Sequence, residues 1–248
     1  MNSDMRDVQA LVFDVFGTTV DWHGSLVDDL ASLGNKYEIR NADWSVFAKT
    51  WRRGYIDHVQ ALTQGGTGTT NMDELHREVL EKMLQSPEWK HLGAVLNAEE
   101  REKLNHAWHR LRGWPDTTAA LYALKKNMIV GALSNGNTRF LIDVTKFADL
   151  PWDFLFSAEF FGSFKPDPKV YQGAMKHLAL DPQKCAMVAT HVWDLRGAAA
   201  VGMKTIFVKR AAEEPVAEDE AKPKSEGGEF DLVLDSFAEL AHFYNGGK

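Results

Sequence analysis

The chain has 248 residues, 44% of them hydrophobic, and a formal net charge of −7 at pH 7. That size suits one large domain or a core with an inserted module, and an acidic balance without any long basic run excludes nucleic acid and anionic membrane as principal partners. A single cysteine, Cys185, excludes an intrachain disulfide, while a polar Met1–Asp7 start and the lack of a membrane-length apolar segment predict a cytoplasmic protein.

The first predicted element is a buried parallel strand, Ala10 to Phe13, which breaks into Asp14-Val-Phe-Gly-Thr18. Ligands of open α/β sheets bind beyond the carboxyl ends of the strands, so Asp14 stands where a nucleophile belongs. An isolated Asp can equally end a strand and cap a turn. The residue two places on is Phe16, not a second acid. More than a hundred residues then precede the next strand, Met128 to Leu133, far beyond an ordinary βα connection. Helical patterns fill that interval: Ser25 to Leu33, Trp44 to His58, Asn71 to Leu84, and an Asn97-Ala-Glu-Glu100 capping box ahead of Leu104, Trp108 and Leu111. Gln64 to Thr70 is a glycine-rich connector with neither the preceding strand nor the following Lys-Ser/Thr of a phosphate loop.

Strands are predicted next at Phe154 to Ser157, Ala186 to Ala189 and Thr205 to Val208, with a sixth at Phe230 to Leu234. Helical patterns at Asp116 to Lys126, Lys169 to Leu178 and Asp194 to Val201 alternate with them, which favours right-handed βαβ crossovers. The expected fold is α/β: a doubly wound parallel sheet, Rossmann-like, formed by residues 1–20 and 113–248, with a helical cap domain inserted at 21–112. Ala212 to Glu229, rich in Glu, Lys, Pro and Gly, reads as a solvated surface loop.

Chemistry-bearing residues recur at the predicted strand ends. Leu133-Ser134-Asn135-Gly136 closes the second strand and can be a simple Asn-Gly turn. In Phe164-Lys165-Pro-Asp-Pro168-Lys-Val-Tyr171, Asp167 can cap the next helix with Pro168 in its first position, so Lys165 lies on the loop ahead and can hold Asp14 ionised. Tyr171, one turn into that helix, stands at the site's rim or packs on the core. In Ala189-Thr190-His191-Val-Trp193-Asp194, Asp194 can pair with Lys165 and Trp193 can wall a small apolar group. His191, with an unperturbed pKa of about 6.5, is suited to deprotonating water.

Taken in order, Asp14, Ser134, Lys165 and Asp194 resemble the four motifs of the haloacid dehalogenase superfamily, and Phe16 in place of a second acid resembles its (S)-2-haloacid dehalogenase branch. The resemblance implies that Asp14 attacks the halogen-bearing carbon of a short (S)-2-haloacid, inverting it, and that water hydrolyses the resulting ester to an (R)-2-hydroxy acid. Asp14, Lys165, His191 and Asp194 would be catalytic, and Thr18, Arg52, Ser134, Asn135, Tyr171 and Trp193 would bind substrate. Arg52 matches the branch's cap Trp-Arg pair through Trp51-Arg52, and with Asn135 it would receive the halide. The relatives carry Ser-x-Asn where this chain has Ala189-x-His191, so either His191 or the Lys165 and Asp194 pair activates the water. No metal and no cofactor are expected: halide leaves without protonation, whereas phosphoryl transfer wants a cation cluster and a general acid. The partners expected are a small haloacid and water, with a homodimer a further possibility. Two other readings stay open, a phosphatase with an atypical first motif and a non-catalytic metabolite-binding protein.

Overall fold

The structure is a computed structural model that describes residues 3–210 and 221–246. It divides into two compact units, Met1–Asp21 with Gly113–Lys248, and Trp22–Arg112.

The first unit opens with β1 (Ala10–Phe13), a strand with every residue buried. The second unit follows as helices α1 (Trp22–Lys36), α2 (Trp44–Thr63), α3 (Met72–Gln85), α4 (Lys90–Val95) and α5 (Ala98–Asn105). In α2 the buried residues Phe47, Ala48, Trp51 and Tyr55 recur at helical spacing. They meet α3 closely: a Cβ added at Gly54 would lie 2.5 Å from Val79. Asn97 caps α5 by accepting the Glu100 N–H at 3.0 Å, as the capping pattern predicts. The expected continuous helix to Leu111 instead tightens into a 3-10 turn over His106–Arg110.

The chain then returns to the first unit with α6 (Thr117–Leu124), β2 (Ile129–Ser134), α7 (Thr138–Phe147), β3 (Phe154–Ser157) and α8 (Pro168–Leu178). It ends with β4 (Cys185–Ala189), α9 (Val192–Ala200), β5 (Lys204–Val208), β6 (Leu232–Leu234) and α10 (Phe237–Asn245). The six strands form one parallel sheet in the order β3-β2-β1-β4-β5-β6. This is the doubly wound sheet expected. Helix α4 went unread in the sequence because its six residues carry less than two turns of periodicity.

β1 lies between β2 and β4, with Phe13 opposite Ala132 on one side and Val188 on the other. Chain order reverses there, so the carboxyl ends of these strands frame a crevice at a topological switch point. Cys185 is buried in the apolar core beside Met187, Val170 and Tyr171. Of the predicted surface loop, residues 212–220 lie outside the described residues, and Ala221–Glu229 is mostly exposed around a turn at Lys224–Glu226. Among the described residues no helix is long and apolar enough to cross a membrane.

Candidate active site

Asp14 follows the last residue of β1, and its own N–H donates to Val188 O at 3.0 Å, so the strand's hydrogen bonding extends through it. The loop then folds back. Thr19 and Val20 both donate to Val15 O, at 3.0 and 3.2 Å, and Gly17 takes φ 73°, a left-handed conformation that costs glycine little. The turn is pinned from three sides: Trp114 Nε1 donates to Gly17 O at 2.8 Å, Thr117 Oγ1 to Thr19 O at 3.0 Å and Arg210 Nε to Thr18 O at 3.0 Å. Arg210 is itself held by both carboxylate oxygens of Asp116, at 2.9 and 3.0 Å. The Asp116–Arg210 pair is a support that the sequence reading missed, for no local pattern links residues so far apart.

Three donors meet the Asp14 carboxylate. Lys165 Nζ donates to Oδ1 at 2.9 Å, Thr18 Oγ1 to Oδ2 at 2.9 Å, and His191 Nδ1 lies 3.0 Å from Oδ2. The same ammonium reaches Asp194 Oδ2 at 2.5 Å, and Tyr171 Oη donates to Asp194 Oδ1 at 2.7 Å. Lys165 is 2% exposed and Asp194 fully buried. Burial alone would raise the Asp14 pKa, yet the Lys165 charge and the His191 hydrogen bond outweigh it and hold the carboxyl well below its ordinary range. For Lys165, burial pulls the other way but the charges of Asp14 and Asp194 prevail, so its pKa is raised. Asp194 is pushed up, by burial first and then by Asp14, against the pull of Lys165. The cluster therefore holds Asp14 in its ionised form.

Lys165 owes its position to the helix start just beyond it in the chain. Asp167 accepts the Lys169 N–H at 2.9 Å and caps α8, with Pro168 in the first turn, as the sequence suggests. Asn135 clasps the backbone of Lys165 from across the crevice: its Oδ1 accepts the Lys165 N–H at 2.7 Å and its Nδ2 donates to Lys165 O at 3.2 Å. Asn135, expected from the sequence to face the halide, thus grips the lysine loop. Ser134 is buried at the end of β2, where its Oγ accepts the Gly136 N–H at 3.2 Å. Thr18, read from the sequence as a substrate contact, spends its hydroxyl on Asp14 while accepting the Thr190 N–H at 3.1 Å.

Tyr171 is fully buried, so its place at the rim gives way to the alternative of packing in the core. The signal was present: Val170, Tyr171, Ala174 and Met175 form the buried stripe of α8. Trp193, by contrast, is 45% exposed, with its ring 5.6 Å from that of His191. Phe16 is buried and stacks on Phe140 at 4.9 Å, 6° from parallel, so an apolar wall occupies the place of a second acid. Among the described residues no group of three or more His, Cys, Asp or Glu side chains converges as a metal site. Arg52 belongs to the helical unit, where its guanidinium lies 5.7 Å from the Trp22 ring centre and 5.1 Å from that of Tyr55. Trp22 is buried in the same unit, stacked on Trp108 at 6.2 Å.

A buried carboxylate at the switch point of a doubly wound sheet, braced by a lysine from the third strand's loop and an acid from the fourth strand's helix, defines a hydrolase architecture. The chain belongs to the haloacid dehalogenase-like hydrolase family, whose model matches residues 8–202. It is 35% identical to a crystallised L-2-haloacid dehalogenase, covering 97% of this chain and 100% of that one with a TM-score of 0.85. A crystallised defluorinating L-2-haloacid dehalogenase is 33% identical, covering 96% of this chain and 95% of that one with a TM-score of 0.83. Among curated proteins, (S)-2-haloacid dehalogenase 1 of Pseudomonas sp. (strain CBS-3) is 28% identical over 209 residues, 83% of this chain and 86% of the relative.

Proposed function

We propose that this chain hydrolyses the carbon–halogen bond of short (S)-2-haloacids, yielding (R)-2-hydroxy acids through an ester on Asp14. The observation that carries the reading is the Asp14 carboxylate itself: buried, kept ionised by Lys165 and His191, and paired with the apolar Phe16 where a general acid would otherwise stand. A desolvated carboxylate is a good nucleophile toward carbon, and the departing halide needs no proton. Attack by Asp14 displaces halide with inversion. Water then adds to the carboxyl carbon of the ester and releases the hydroxy acid. The names of the relatives support the same class of substrate.

Lys165 orients Asp14 and neutralises part of its charge, while Asp194, fixed by Tyr171, holds Lys165 in place. Ser134 and the amides of the nucleophile loop are assigned to the substrate carboxylate, and Trp193 to its alkyl group. Arg52 keeps its assignment to the halide on the strength of the Trp51-Arg52 pairing, and Asn135 acts through Lys165. The reaction is assigned no metal, because halide leaves without protonation and Phe16 stands where a second carboxylate would help to hold a cation.

The test is halide release from short 2-halo acids beside a generic phosphate ester, each with Mg²⁺ and with chelator. The expected outcome is halide release from the (S) enantiomer, unaffected by chelator, with little phosphate turnover. Mg²⁺-dependent phosphatase activity with inert halo acids would overturn the reading in favour of a phosphatase.

A further inference from the structure

We propose that His191 and Thr18 together form an oxyanion hole on Oδ2 of Asp14, which leaves Oδ1 as the oxygen that attacks carbon. The inference rests on the dehalogenase reading and fixes the task of one residue within it. An ionised carboxylate only accepts hydrogen bonds, so in the 3.0 Å contact the imidazole Nδ1 carries the proton and donates it to Oδ2. Thr18 Oγ1 donates to the same oxygen at 2.9 Å, and the Thr190 N–H that Thr18 accepts at 3.1 Å leaves the hydroxyl proton aimed at the carboxylate. Both in-plane lone pairs of Oδ2 are therefore engaged. On Oδ1 the contact among the described residues is the ammonium of Lys165 at 2.9 Å, which leaves a lone pair for substrate.

The chemistry follows from that asymmetry. A lone pair of Oδ1 bonds to the halogen-bearing carbon, and the carbon–halogen pair leaves with the halide. The ester then has Oδ1 as its alkyl oxygen and Oδ2 as its carbonyl oxygen. When water adds to Cγ, the carbonyl π pair moves onto Oδ2, where two fixed donors already wait for the charge. The returning pair expels Oδ1 with the product. One of the water's protons finishes on the product hydroxyl and the other passes to solvent, which balances the net release of acid and halide.

The same contact argues against His191 as the base. Its two ring nitrogens point to opposite sides of the imidazole, and Nδ1 is the one that faces Asp14. A water bound to Nε2 would lie across the ring from Cγ, out of reach for attack. Proton removal then falls to the Lys165 and Asp194 pair, in which the Asp194 carboxylate is the acceptor because Lys165 is already an ammonium.

Two substitutions separate the roles. His191→Asn keeps an N–H donor without a base, and His191→Leu keeps neither. Single-turnover reactions with (S)-2-chloropropionate would follow chloride release and, by intact mass, the adduct on Asp14. We expect the Leu variant to release its first equivalent of chloride and then trap the adduct, slowing ester hydrolysis on the order of 10²–10³-fold. The Asn variant should hydrolyse its adduct at least roughly tenfold faster than the Leu variant, with the parental pH dependence of that step. The chloride burst also shows that each variant is folded. Thr18→Val, lacking the other donor, should trap the same adduct. Equal trapping by Asn and Leu, with loss of an acid limb in the pH profile, would return His191 to the base role. Unimpaired hydrolysis by Leu would remove it from the second step altogether. Either result overturns the inference and leaves the dehalogenase reading standing, whereas a parental enzyme that releases no chloride overturns both.

Discussion

The two units of this chain bury polar groups in opposite ways. In the sheet unit every charged group of the buried cluster has a partner: Lys165 bridges Asp14 and Asp194, and Tyr171 completes Asp194. In the helical unit the interior is aromatic, and His76 sits within it fully buried, stacked on Trp108 at 4.0 Å and 2° from parallel. Neither of its ring nitrogens has a hydrogen-bond partner among the described residues. A half-satisfied buried ionic cluster is costly, so the first arrangement persists only when complete. The second tolerates an unpaired imidazole because the ring stays neutral: burial first, then the charge of Arg52, holds its pKa well below the usual value. Charge is therefore organised around Asp14 in one unit, while the aromatic interior of the other holds His76 neutral.

The sharpest way to break this comparison is to remove the charge at the centre of the organised cluster. Asp14→Asn leaves shape and size nearly intact but replaces the nucleophile with an amide, and turnover should fall below detection. In the parent enzyme, a single turnover in ¹⁸O water should place label in the Asp14 carboxylate and leave the product unlabelled. Label in the first product, with Asp14 unlabelled, would mean that water attacks the substrate directly.

How far this organisation could be read in advance depended on the distance over which each signal acts. Asp14, Lys165 and Asp194 announced themselves through local rules: a strand ending in an acid, and a Pro-Asp-Pro helix start that sets the lysine just ahead of α8. Their convergence then follows from strand order, since the loops after β1, β3 and β4 share one edge of the sheet. Asn135 shows where local rules stop. It looked like a ligand-facing turn residue, but its amide pairs with the backbone of Lys165 thirty positions on, a contact that only the folded sheet creates. Tyr171 was ambiguous at the level of a single residue and legible at the level of the helix, through the stripe it shares with Val170, Ala174 and Met175. In the helical unit, the spacing of Phe47, Trp51 and Tyr55 gave the helix but not the His76 ring from α3 that meets Trp51 and Tyr55.

Acid sharpens the contrast. His76 has a folded pKa below its unfolded value of about 6.5. The unfolded chain therefore binds the extra proton, so stability is present above that pH and is lost as pH falls, by up to about 1.4 kcal/mol per pH unit. Asp14 is also shifted down, but from an unfolded value of about 3.9, so its contribution is lost only at lower pH. Asp194, shifted up, works in the opposite sense, adding stability as pH falls toward its unfolded value of about 3.9. Loss of stability between about pH 6.5 and 4.5 should thus come from the helical unit. His76→Phe, which keeps the stack on Trp108, should flatten urea-unfolding stability over that window while changing little at neutral pH. An unchanged slope would show that His76 does not control acid sensitivity.

The smallest effect compares one helix cap from each unit. Asn97 caps α5 through the Glu100 N–H, and Asp167 caps α8 through the Lys169 N–H. Replacing either by Ala removes one backbone acceptor and should cost about 1 kcal/mol in urea unfolding. Their effects on activity should differ. Asp167 also accepts the Ser163 hydroxyl at 2.6 Å, and its own N–H donates to Phe164 O at 2.9 Å, so it closes the turn that contains Lys165. Loosening that turn lets the lysine shift relative to Asp14, and small misplacements of a catalytic group lower rates steeply. Asp167→Ala should therefore reduce kcat for halide release with KM little altered, while Asn97→Ala matches the parent in kcat. Equal kcat in the two variants would show that the Asn135 clasp alone suffices to hold Lys165.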